Sequence, residues 1–380
     1  MTNSPHPKSI PISTAWPEVP WVEVPLAELG PVGDNGYGQA IDPVGDCDFL
    51  PPCAIFSMDD GIAFLLGMLE GAGGFIGSWV VKELLLRGYA VRGTARDPSS
   101  QKNSHLQKLE GAKERLCLNY ADVMDYDSLS VAFNGCEGVF HVASPVSVDP
   151  RLVPVAVEGT KNVINAAADM GVRRVVFTST FGAVHMDPNR SHDTVVDESC
   201  WSNLEFCKQK DWYCYAKTVA EMVAAEQASK RGIQLVVVLP AMTLGQMLQS
   251  TINPSIRHIA DFLNGSRKTH RNAVAGYVDA RDVARAHALV YEDPKAHGRY
   301  LCIASVLHRS ELIQMIRELF PQYPITCNKC EDSKQMVQPF KFSNQRLRDL
   351  GLTFTPIKES LYNTLICLRE KGHLPPYSSL

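Results

Sequence analysis

A short apolar run, a glycine-rich turn and a helix-forming stretch follow one another between Ile62 and Leu86. The apolar run, Ile62 to Leu69, is bounded by Glu70 and is far too short to span a membrane. It predicts a buried strand. Gly71-Ala72-Gly73-Gly74-Phe75-Ile76-Gly77 follows at once, and Trp79 to Leu86 reads as an amphipathic helix ending at Arg87-Gly88. Strand, glycine turn and helix in this order form the opening unit of a dinucleotide-binding sheet. Gly71 and Gly74 are expected to permit the tight turn and the close approach of a pyrophosphate. Gly77 is expected to let the helix pack on the strand, leaving free N–H groups at the helix start for phosphate.

The alternation continues down the chain. Strands are expected over Tyr89 to Ala95, Leu116 to Tyr120, Gly138 to Val142, Arg174 to Ser179 and Gln234 to Leu239, and helices over Ser128 to Phe133 and Leu152 to Met170. Strands alternating with helices predict an α/β fold of the Rossmann type, a doubly wound parallel sheet with ligands at the carboxyl ends of its strands. Where a NAD-binding unit carries an acidic residue after the second strand, this chain has Arg92, Arg96 and Lys102 at and beyond the strand end. Cations there suit a 2′-phosphate and point to NADPH rather than NADH. Asp122, after the third strand, is a candidate adenine contact. Beyond Pro240 the pattern loosens into short helices, Ser255 to Leu263, Arg281 to Tyr291 and Ser310 to Leu319. The expected organisation is an NADP-binding domain over residues 61–240 and a smaller, mainly substrate-binding lobe over 241–375. Residues 1–60 hold ten of the 24 prolines and no apolar periodicity, so they read as a poorly ordered extension.

Tyr213 and Lys217 stand four residues apart before a helix-forming run, Thr218 to Lys230. That spacing stacks a phenol above an ammonium on one helix face. The ammonium favours the phenolate, which makes Tyr213 a candidate acid or base for carbonyl/alcohol interconversion. Cys207 and Cys214 flank this helix start, either as two buried thiols or as a redox-sensitive pair beside Tyr213.

A formal charge of −4 argues against a general binder of nucleic acid or anionic membrane. The eleven cysteines are scattered, which suits reduced thiols in a cytoplasmic setting. Cys327 and Cys330 form one isolated CxxC with no second ligand pair, so no metal site is expected.

From Gly71 to Pro375 the chain resembles plant cinnamoyl-CoA reductases, extended short-chain dehydrogenase/reductases that stand beside the dihydroflavonol reductases. The matching stretches include GAGGFIGSW (71–79), HVASPV (141–146), FGAVHMDPNR (181–190), DESCWS (197–202), WYCYAK (212–217), KFSNQRLRDLGL (341–352) and EKGHLP (370–375). The resemblance implies that Tyr213 and Lys217 are catalytic, with a hydroxyl from Thr180 or Ser179. It places NADPH on Gly71 to Gly77, Arg96, Lys102, Asp122 with Val123, Val142, Ala143 and Ser144, Pro240, Ala241, Met242 and Thr243, and Ser255. It puts substrate on Thr180, His258 and Arg309. The implied reaction reduces a hydroxycinnamoyl-CoA thioester to its aldehyde, at the entry to lignin monomers.

Four departures from the family pattern stand out. Leu69-Glu70 replace Val-Thr before the glycine turn, setting a carboxylate near a pyrophosphate. Thr180 replaces a serine, Ala216 replaces a common glycine, and Asp261 stands where a lysine follows His258 by three residues. The last favours a second expectation, a ketone or aldehyde reductase of the dihydroflavonol reductase type. Glu70 favours a third, a folded but inactive scaffold with a spoiled first strand.

Overall fold

The computed structural model describes residues 62–66, 72–191, 193–331 and 335–374. The expected extension over 1–60, together with Leu69, Glu70 and Gly71, lies outside them. In chain order the elements are β1 (Ile62–Leu66), α1 (Phe75–Leu86), β2 (Ala90–Ala95), α2 (Ala112–Arg115), β3 (Leu116–Tyr120), α3 (Tyr126–Phe133), β4 (Gly138–His141), α4 (Val153–Asp169) and β5 (Arg174–Thr178). Next come α5 (Leu204–Lys210), α6 (Trp212–Arg231), β6 (Gln234–Pro240), β7 (Met242–Leu244), α7 (Pro254–Leu263), β8 (Thr269–His270), β9 (Val274–Asp279) and α8 (Ala280–Glu292). The chain closes with β10 (Gly298–Cys302), β11 (Ser305–His308), α9 (Arg309–Leu319), β12 (Lys329–Cys330), α10 (Gln345–Asp349) and α11 (Ile357–Glu370).

Seven parallel strands form the main sheet in the order β10-β6-β5-β4-β1-β2-β3. Strands covered on both faces read as continuous apolar runs, and β5 (Arg-Val-Val-Phe-Thr) is buried at every position. Helix α1 packs with α8, while α3, α4 and α6 pack with one another, so helices cover both faces. The strand order reverses between β1 and β4. That reversal opens a crevice at their carboxyl ends, the place where doubly wound sheets hold ligands. β1 pairs with both neighbours, Ile62 beside Ala90 and Ala63 beside Gly138.

Two features differ from the sequence expectation. Helix α1 begins at Phe75, inside the glycine motif, because a first turn held by backbone carries no amphipathic signature. Beyond Pro240 the chain returns to the main sheet through β10, and β7, β9 and β11 form a separate three-stranded sheet. These strands are short, and Gly276 and Gly298 interrupt their apolar pattern. Among the described residues, no helix is long and apolar enough to cross a membrane.

Arg174, only 1% exposed, ties the end of α8 to the start of the central strand β5. Its Nη1 donates to the carbonyls of Val290 (3.0 Å), Tyr291 (2.9 Å) and Asp293 (2.6 Å), at the end of α8. Nε donates to the Gln234 side chain at 3.0 Å. A cation there satisfies the last carbonyls of α8 and opposes the negative end of its dipole. Arg174→Ala leaves those buried carbonyls unpaired. It is expected to cost about 3 kcal/mol or more, read as a melting midpoint lower by roughly 5–10 °C, with the NADPH dissociation constant little changed.

Candidate active site

The crevice is a cleft of about 530 Å³ at the carboxyl edge of the sheet. Its floor is the start of α1, Gly74 to Gly77. Its walls are Val142 to Ser144 after β4, Thr178 to Gly182 after β5, Tyr213 and Lys217 on α6, and Pro240 to Thr243 at the end of β6. Asn253 to Ser255, Val274 to Gly276 and Arg309 close it from the other side.

Helix α1 starts without a side-chain cap and without an acidic residue in its first turn. Its first N–H groups are therefore donors awaiting an acceptor, beside a cleft, as a pyrophosphate requires. The reason for glycine at 73 is space. A Cβ there would collide with Asn103 Oδ1. Asn103 Nδ2 donates to the Asp97 carbonyl (2.9 Å), and His105 Nε2 pairs with Ser78 Oγ of α1 (2.8 Å). The loop that carries Lys102 is thus pinned on the glycine turn. Arg96 and Lys102 are exposed, and neither lines the cleft itself. Arg92 is engaged with the Asn134 carbonyl (2.9 Å), away from a phosphate role.

Asp211 fixes the register of α6. Its Oδ1 accepts from the N–H groups of Tyr213 (2.9 Å) and Cys214 (3.3 Å), a cap that starts the helix one residue before the tyrosine. Lys217 then falls one turn deeper and is 2% exposed. Its Nζ donates to the Thr178 carbonyl at 2.7 Å and sits 4.6 Å from the Phe177 ring centroid. Burial pushes the ammonium down to about 7, with the Glu221 carboxylate acting in the opposite direction. His141, under the same layer, is pushed down to about 3 by burial and then by Lys217, so its ring is neutral.

The two candidate hydroxyls have different surroundings. Ser179 Oγ donates to Glu221 Oε2 at 2.5 Å. Thr180 Oγ1 accepts from the Gly182 N–H (3.2 Å), capping a single tight turn, Phe181–Ala183. That contact uses a lone pair and leaves the Thr180 proton for an acceptor in the cleft. Cys207 and Cys214 are buried, and burial raises both thiols, Cys207 to about 11.

On the far wall, Arg309 Nη1 donates to His258 Nε2 (2.6 Å) and to the Tyr277 hydroxyl (2.5 Å). Burial, then Arg309, pushes His258 down to about 3. His258 is therefore a neutral acceptor that aims Arg309 and is not itself a lining residue. Asp261 lies one turn on, with Arg267 Nη2 at 4.0 Å from its carboxylate.

Of the residues singled out from sequence, Gly74 to Gly77, Val142 to Ser144, Ser179, Thr180, Tyr213, Lys217, Pro240 to Thr243, Ser255 and Arg309 converge on the cleft. Ala72, Gly73, Asp122, Val123 and His258 stand behind it or beside it. Asp122 Oδ1 is taken by the Met124 N–H (2.9 Å), and Val123 packs against Gly159. Sequence reasoning missed Glu221, Arg299, Tyr277 and the aromatic wall in which Phe181 stacks on His185, 4.5 Å between ring centroids. Glu221 had a signal, since it follows Lys217 by one helical turn.

A switch-point cleft with a phenol and a buried ammonium on one helix places this chain among the Rossmann-type NADP-dependent oxidoreductases. The model of the NAD dependent epimerase/dehydratase family matches residues 68–304. The chain is 68% identical to cinnamoyl-CoA reductase 1 of Oryza sativa subsp. japonica over 309 residues, 81% of this chain and 91% of that protein. Its fold is similar to vestitone reductase from alfalfa (Medicago sativa L.), with a TM-score of 0.70 and 28% identity over 83% of this chain and 100% of that one. A similar fold at 24% identity is the yeast methylglyoxal/isovaleraldehyde reductase Gre2 complexed with NADPH, with a TM-score of 0.69 over 82% of this chain and 100% of that one. The chain belongs to the NAD dependent epimerase/dehydratase family and, within it, to the cinnamoyl-CoA reductases.

Proposed function

We propose that this protein reduces a hydroxycinnamoyl-CoA thioester to the cinnamaldehyde, releasing CoA and oxidising NADPH. One observation carries the assignment: the Thr180 hydroxyl, Tyr213 and the buried Lys217 line the same cleft as the uncapped start of α1. The start of α1 and the ends of β4 and β6 would hold NADPH, which would supply a hydride for the thioester carbonyl carbon. Thr180 and Tyr213 hydrogen-bond the carbonyl oxygen, and Tyr213 gives it a proton as negative charge develops there. Lys217 lowers the cost of the phenolate left behind. The hemithioacetal then breaks its C–S bond, and the sulfur leaves as the CoA thiol once protonated. Arg309, aimed by His258 and Tyr277, offers a cation to the CoA end of the substrate.

Purified protein assayed with feruloyl-CoA and NADPH should release free CoA in step with NADPH consumption. Tyr213→Phe is expected to lower turnover by at least about a hundredfold while NADPH still binds. Turnover near the wild-type rate in that variant would remove Tyr213 from the mechanism.

Arg96 and Lys102 are proposed to hold the 2′-phosphate. Each charge-assisted bond contributes about 1.5–3 kcal/mol. Replacing both by Ala should bring the ratio of NADPH and NADH dissociation constants at least about tenfold closer to one. An unchanged ratio places the phosphate elsewhere.

A ketone or aldehyde reductase is the second reading, and Asp261 favours it, because a carboxylate one helical turn from His258 would repel CoA phosphates. The pairing with Arg267 reduces that repulsion to the range of partly solvated charges, about 0.5–1 kcal/mol. Asp261→Lys is expected to lower KM for the CoA ester severalfold at low salt, with the gain fading as salt rises. Faster turnover of a free carbonyl compound than of any CoA ester would establish the second reading.

A further inference from the structure

Among the described residues, the carboxylate acting on Lys217 is Glu221, one turn after it on α6, and Tyr213 stands one turn before it on the same helix. From β5 the ammonium meets the Thr178 carbonyl and the Phe177 ring, and from β4 the neutral His141. Glu221 is 0% exposed. Its Oε1 accepts from Arg299 Nε of β10 at 2.6 Å, and its Oε2 takes the Ser179 proton at 2.5 Å. Arg299, 5% exposed, also donates to the carbonyls of Glu198 (2.9 Å) and Cys200 (2.5 Å) and lies 3.8 Å from the Trp201 ring centroid.

We propose that Glu221 is a positioning residue for the reduction, with two tasks. It supplies the buried negative charge that the Lys217 ammonium needs, and it turns the Ser179 hydroxyl away so that Thr180 alone presents a proton to the substrate carbonyl. The inference rests on the reductase reading above. A carboxylate held dry by an arginine keeps its charge without solvent, and its spare oxygen has a single proton to accept. Removing a nearby negative charge makes the Lys217 ammonium easier to deprotonate, which moves the alkaline limb downward.

The experiment measures kcat with feruloyl-CoA against pH at saturating NADPH, in the full chain. In Glu221→Gln the alkaline limb is expected about one pH unit lower than in the wild type, while Glu221→Asp keeps the limb near its wild-type position. Because Glu221→Gln strands a buried Arg299, Glu221→Gln with Arg299→Gln provides a neutral hydrogen-bonding pair; a cation is lost there with the anion, so its limb should lie between those of the wild type and Glu221→Gln. A uniform loss of kcat with an unmoved limb overturns the proposal. So does failure of both neutral variants to fold while Glu221→Asp folds, which marks the carboxylate as structural only. Tyr213→Phe separates the two levels. If that variant is inactive and the limb in Glu221→Gln is unmoved, the positioning role alone falls. If it turns over normally, the reductase reading falls first.

Discussion

Taking the Lys217 ammonium out of water is unfavourable by several kcal/mol in a low-dielectric interior, and its surroundings offset that cost. The Thr178 carbonyl accepts from it, the Phe177 ring offers a negative face, and Glu221 stands one turn away. These partners come from different parts of the chain. They meet because β5 ends where α6 begins its second turn. The cap at Asp211, the parallel pairing of β5 with β4 and β6, and the Glu221–Arg299 pair all hold that meeting point in place. A shift of one residue in the α6 register would carry Tyr213 and Lys217 together about 100° round the helix and take the ammonium off the Thr178 carbonyl.

The legible parts of this architecture have strong periodic or compositional signals. Continuous apolar runs marked β5 and β6 within a residue or so, because strands covered on both faces have no alternation to obscure. The glycine turn and the Tyr213/Lys217 spacing located the two halves of the site. The obscure parts depend on contacts between distant segments. Nothing local distinguishes Ser179 from Thr180, and what separates them is a carboxylate forty-two positions away. His258 looked like a substrate residue beside Arg309. Its lone pair is already taken by that arginine, which no spacing rule records. Among the strands after Pro240, β10 escaped notice because Gly298 and Arg299 stand where its apolar run would begin.

The far wall of the cleft is the part of the site where this chain has its own character. Arg309 is held by two acceptors that keep its guanidinium in one orientation, a pre-organised cation of the kind that loses little entropy on meeting a phosphate. Asp261 and Arg267 modify the field around it. In the proposed reaction, charge on this wall bears on substrate choice, while the hydroxyl and ammonium groups opposite bear on the chemistry.

Asn103 occupies the space that a side chain on residue 73 would fill, and His105 is fastened to Ser78. The cation-bearing loop and the glycine turn are thereby keyed together like a tongue in a groove. With Arg96 and Lys102 in their proposed role, cofactor choice depends on that joint as well as on two charges. An engineer who exchanges Arg96 and Lys102 for an acidic residue inherits a loop still keyed to the glycine turn through Asn103 and His105. Exchanging the loop without Asn103 would loosen the turn on which either nucleotide must rest.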